Sequence, residues 1–129
     1  PEREIGVFPI TLTEAGLADE HIKDFGSTLN TGHWHGDMPG LSDNAVVLAT
    51  SKGCPRQIVR FSSKHYAFQA HLEFDPEAID LLIAADGEEH LRQQNQELPF
   101  VQTPEQLRSN DYSQMNEKLF AFLDSLTQG

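Results

Sequence analysis

The sequence has one cysteine, one tryptophan, few basic residues and no long apolar run. A lone cysteine cannot close an intramolecular disulfide, so no disulfide framework holds this fold. No stretch approaches the length of a membrane span or a signal-peptide core, which makes the cytoplasm the expected location and leaves no membrane as partner. Nine lysines and arginines stand against 20 acidic residues, a formal charge of -11. That balance repels nucleic acid phosphates and anionic lipid, so nucleic acid is not an expected partner either. Repeats, low-complexity tracts and like-charge blocks are also missing, which argues against a solenoid or a disordered tail. What is present is 129 residues, 38% of them apolar. That is enough for one domain with a modest core.

Along the chain, Glu4 to Thr13 is rich in Ile, Val, Phe and Thr and reads as a strand. Pro9 lacks an amide donor and therefore implies an edge position, a bulge or a strand end, so the strand is expected to be interrupted or bounded there. Glu14 to Gly26 has no sustained period and reads as a loop with one helical turn, and Ser27 to Asp37 reads as extended. A turn at Met38-Pro39-Gly40 follows. Strands are expected at Ala45–Thr50, Arg56–Ser62 and His65–His71, with links short enough for antiparallel neighbours. The period then changes. Asp75 can cap a helix that Pro76 opens, with Ile79, Leu82 and Ile83 on one face and a stop near Asp86-Gly87. A polar region containing Pro99 and Pro104 separates it from a last amphipathic helix marked by Met115, Leu119, Phe122, Leu123 and Leu126.

Three strings could carry chemistry. In Gln69-Ala70-His71-Leu72-Glu73 the histidine and glutamate are two apart, so in extended backbone they leave the same face. A carboxylate there can hold the imidazole Nδ1 proton, fix the tautomer and stabilise the imidazolium. In Gly32-His33-Trp34-His35-Gly36-Asp37, extended backbone would align His33, His35 and Asp37, which are ligand types for zinc or another divalent ion. The competing reading has one imidazole bonded locally while Trp34 packs inward. Cys54, in Lys52-Gly53-Cys54-Pro55, tempts as a nucleophile whose pKa Lys52 could lower. Pro55 argues against that, because the residue after a nucleophile elbow donates its amide to the oxyanion and proline has none. Cys54 therefore reads as a small buried residue entering a strand.

Taken in order, Glu4-Ile5-Gly6-Val7-Phe8-Pro9, Trp34-His35-Gly36-Asp37, Cys54-Pro55-Arg56-Gln57 and Gln69-Ala70-His71-Leu72-Glu73 resemble the C-terminal half of class I, triad-type glutamine amidotransferase domains. The similarity is greatest to the stand-alone, GMP-synthase-like branch, and it extends over nearly the whole chain. Where the best-known members have proline between the histidine and glutamate, this chain has Leu72. The resemblance implies an α/β, flavodoxin-like fold, of which residues 1–129 supply the later sheet strands, an antiparallel excursion and flanking helices. It implies His71 as general base and acid, Glu73 as its orienting partner, and Trp34, His35, Gly36 and Asp37 as holding the amino-acid end of glutamine. The implied reaction is hydrolysis of the glutamine amide through a cysteinyl thioester, with no cofactor and with ammonia passed to an acceptor synthase. The nucleophilic cysteine and its elbow belong to the family's N-terminal half, which has no counterpart here. The chain alone is therefore expected to be inactive, and to associate with itself or with that missing half. Two other classes stay open: a silent binding or regulatory module of the same fold, and a metal-dependent hydrolase built on His33, His35 and Asp37.

Overall fold

A computed structural model describes residues 2–36, 40 and 42–128, with the side chain of Gln128 outside the description. The expected turn at Met38-Pro39-Gly40 and the residue Asp37 thus fall wholly or partly outside the described residues. The strands are β1 (Glu4–Leu12), β2 (Thr28–His35), β3 (Val46–Thr50), β4 (Ile58–Ser62), β5 (His65–Phe68) and β6 (Phe100–Val101). The helices are α1 (Glu14–Ala18), α2 (Pro76–Asp86), α3 (Glu88–Glu97), α4 (Pro104–Ser109) and α5 (Ser113–Gln128), with a 3-10 turn at Lys23–Phe25.

The five longer strands lie in the order β2-β1-β3-β4-β5, each antiparallel to its neighbour. β6 runs parallel to the start of β1. The sheet curls until its two edges meet. After Phe68 the chain leaves β4 and returns to the far edge, where His71 and Gly32 exchange hydrogen bonds of 2.7 and 2.8 Å. The strand expected to reach His71 therefore ends at Phe68, and His71 belongs to a bridge that closes the sheet.

β1 runs straight through Pro9, and the ladder explains how. In an antiparallel pair alternate residues point their backbone groups to opposite edges. Leu12 donates to Ser27 on the β2 side, whereas Val7 exchanges bonds with the Gln102 side chain on the other. Pro9, two residues after Val7, aims its missing donor at the gap between β6 and β3, which no strand fills at that register. The interruption or boundary expected at Pro9 is therefore not found: β1 continues to Leu12, with β2 on one side and β6 and β3 on the other. Gln102 itself behaves as a fragment of strand, and a Cβ on Gly6 would lie 2.4 Å from its side chain.

Glu14 to Gly26 holds the expected helical turn, α1, and a further 3-10 turn, whereas the polar region holds α3, β6 and α4, which were not expected. Within Glu14 to Gly26, Thr13 caps α1 through the Gly16 amide. Asp19 then gathers the amides of His21 and Ile22, the Tyr66 hydroxyl and Arg60 around one buried carboxylate. Within the polar region, α3 buries only Leu91, so there was no apolar period to find. α4 is fixed by a capping box between Thr103 and Gln106. α2 begins at Pro76 with Asp75 as its cap and ends before Gly87, in agreement with the sequence reading. The core runs through Ile5, Ile10, Leu48, Ile58, Ile79 and Ile83, and α5 packs against β2.

Candidate functional site

His71 is held from four directions. Its backbone is bonded to Gly32 of β2. The segment that follows is tied to α5, where the Asn116 amide donates to the carbonyls of Leu72 and Phe74 at 2.7 and 3.0 Å. Its imidazole stacks on Phe74, ring centroids 4.6 Å apart and 8° from parallel. Its Nδ1 lies 2.7 Å from Glu73 Oε1. Glycine at position 32 makes this packing fit, since a Cβ there would sit 2.3 Å from the Phe74 ring.

The pair favours the charged form of Glu73. Burial alone would raise the Glu73 carboxyl, but the hydrogen bond from His71, aided by a backbone amide, brings it below its ordinary value. Glu73 therefore stays a carboxylate near neutrality and holds the proton of Nδ1. That leaves Nε2 as the nitrogen that exchanges protons. His71 and Glu73 also form the polar end of a cleft of about 390 Å³ between β5 and α5, lined further by Tyr66, Phe68, Phe122 and Leu123.

The second string divides between two faces of the sheet. The register pairs Glu4 with His35, Ile5 with Trp34 and Gly6 with His33, so His33 and His35 share a face with Glu4 while Trp34 lies opposite. His33 bonds locally to Thr31 and Trp34 packs half-buried against the core, as the competing reading had it, while His35 is buried as well. Burial, outweighing the attraction of Glu4 and the hydrogen bond to the Phe8 carbonyl, lowers His33 to about 4 and keeps it neutral. Ser51 and Gln57 complete the cluster by donating to Glu4 at 2.9 and 2.7 Å. His35 therefore turns its ring into the core, and only its backbone continues toward Gly36. Gly36 itself is exposed, and a Cβ there would meet nothing nearer than Arg3 at 3.9 Å. Nothing among the described residues demands a glycine at that position.

Cys54 is buried, and its hydrogen bonds involve Ser51 and Arg56. Burial pushes its thiol up, against the lowering that Lys52 had suggested. The sequence reading missed Glu4, Ser51 and Gln57, because an acid at a strand start ordinarily faces water. It also missed Gly32, Phe74 and Asn116, whose roles depend on the closure of the sheet. A small residue amid a β-branched strand was the only signal available for Gly32.

No family model matches the chain. Over 98% of its length it is 53% identical to the glutamine amidotransferase-like protein YfeJ of Salmonella typhimurium, covering 52% of that protein. The crystal structure of SMU.1228c matches 98% of the chain with a TM-score of 0.94 at 54% identity, and the chain covers 53% of it. A glutamine amidotransferase from Thermotoga maritima matches 99% with a TM-score of 0.80 at 18% identity, and 52% of it is covered. One from Methylobacillus flagellatus matches 99% with a TM-score of 0.86 at 20% identity, with 53% covered. The chain spans about half the length of the relatives it matches. Its mixed α/β fold is that of glutamine amidotransferases, consistent with a flavodoxin-like class I fold, and its sequence is similar to part of a glutamine amidotransferase-like protein. No helix among the described residues is long and apolar enough to cross a membrane.

Proposed function

We propose that this chain is the histidine- and glutamate-bearing, C-terminal half of a class I glutamine amidotransferase domain of the GMP-synthase-like branch. The reaction is hydrolysis of the glutamine side-chain amide to glutamate and ammonia, the ammonia passing to an acceptor synthase. The observation that carries this reading is the 2.7 Å bond between His71 Nδ1 and Glu73 Oε1 on a segment fixed from both sides. His71 Nε2 takes the proton of a cysteine thiol supplied by the remaining half of the domain. The thiolate attacks the amide carbon, the same proton leaves with ammonia, and His71 then activates the water that hydrolyses the thioester. Glu73 keeps the ring oriented throughout.

The amino-acid end of glutamine lies along Trp34, the backbone of His35 and Gly36, and Asp37. The freedom of Gly36 from any packing demand among the described residues supports a backbone left open for a ligand. No cofactor takes part.

The test is ammonia release by the purified chain, alone and mixed with the remaining half of a long relative such as YfeJ. Alone the chain releases none above background. The mixture releases ammonia from glutamine, and His71→Ala reduces this by at least about 10³-fold while association of the halves persists. Robust glutaminase activity from the chain alone, or a tight complex that is inert with intact His71, would overturn the reading. The inert complex is also the result expected of a silent binding module.

A further inference from the structure

A group of metal-capable donors that does not include His71 lies, among the described residues, where the start of β1 meets the end of β2. Three donor atoms converge there: Glu4 Oε1, His33 Nδ1 and His35 Nε2. Their separations are 3.1 Å from Glu4 to His35, 3.3 Å between the imidazoles and 3.9 Å from Glu4 to His33. An ion bound tetrahedrally at about 2.0–2.1 Å would hold its ligands roughly 3.3–3.4 Å apart. The three distances bracket that value.

The surroundings suit the same use. His33 Nε2 lies 3.1 Å from the Phe8 carbonyl, which accepts a proton and donates none, so the ring carries its proton on Nε2 and presents a bare Nδ1 to the cluster. Ser51 and Gln57 orient Glu4 by hydrogen bonds, as outer-shell groups do for a ligating carboxylate. Hydrogen bonding alone serves the cluster less well, because one proton on His35 Nε2 would have to satisfy both Glu4 and His33. His35 Nδ1 is buried without a partner in either case and does not discriminate.

We propose that Glu4, His33 and His35 form a structural site for one divalent transition-metal ion of the zinc class, fastening β1 to the end of β2 that leads to Gly36. Two imidazoles and a carboxylate favour such an ion over magnesium or calcium. Among the described residues the carboxylate beside the two histidines is that of Glu4; Asp37, which spacing suggested, lies outside the described residues. Full burial of the three ligands means that the ion enters as the chain folds and that no substrate reaches it, so the site is not that of a hydrolase. This inference is independent of the glutaminase reading.

The chain is produced in cells supplied with zinc, purified without unfolding and dialysed against a weak chelator, and its metal content is measured. A parallel preparation uses cobalt in place of zinc. The expected result is one zinc ion per folded chain, and a tetrahedral cobalt spectrum showing nitrogen and oxygen ligands. Glu4→Gln and His33→Gln lose both, whereas the exposed His90→Ala keeps both. Folded wild-type protein that retains no metal would overturn the proposal. So would binding that survives Glu4→Gln and His33→Gln but disappears with His90→Ala. If the two core variants do not fold, the wild-type metal content and cobalt spectrum decide the matter alone.

Discussion

A single carboxylate, Glu73, links the candidate chemistry to a measurable property of the fold. Its folded-state affinity for protons is below that of an unfolded glutamate, because His71 donates to its charged form. In the acid range the unfolded chain therefore binds more protons at this position, and stability rises with pH there. The contribution is complete above the ordinary glutamate value and is lost as pH falls through the lowered folded value. Glu73 is about half exposed, so solvent screening keeps the effect below about 1 kcal/mol. Glu73→Gln is expected to flatten the acid limb by that amount in denaturant unfolding measured across a pH series, with little change at neutral pH beyond the lost hydrogen bond. The histidine and glutamate were legible in the sequence because their two-residue spacing sits within an ordered set of blocks resembling one family, the spacing alone being a common feature of a polar strand face. Glu4 was not, because its burial depends on Ser51 and Gln57, whose loop folds over it from far along the chain.

At the scale of elements, legibility followed how much apolar surface each one buries. The strands and α2 carry their own pattern, whereas α3 buries one leucine and takes its place from its neighbours. β6 is too short to show a period and is defined by its register with Glu4 and Ile5. The junction between β2 and the His71 segment offers a direct test. Gly32→Ala would force a methyl group to within 2.3 Å of the Phe74 ring and 3.0 Å of the His71 carbonyl. Overpacking of this kind costs about 1–3 kcal/mol. Chemical denaturation should show that loss. Because Phe74 stacks on His71, the imidazole resonances of His71 should shift in the same variant while those of the distant His90 stay fixed.

Across the whole molecule, the acidic surface is interrupted along α5. Phe120 and Leu123 are 66% and 46% exposed, and Leu123 also borders the cleft that ends at His71. Apolar surface of this kind beside an open groove invites association. The chain is expected to self-associate in a concentration-dependent manner, read by light scattering after size exclusion, and Leu123→Glu should shift it toward the monomer without lowering its unfolding midpoint by more than a few degrees. The general architecture could be anticipated, but the joining of the two sheet edges could not, because short antiparallel links say nothing about where a last segment lands. That joining has a consequence in time. The Gly32–His71 bridge closes a long loop, and closing a loop costs entropy that local contacts do not recover. The bridge also carries the His71 backbone, so opening it is expected to unseat the imidazole together with the sheet closure, which hydrogen exchange at the His71 amide would report.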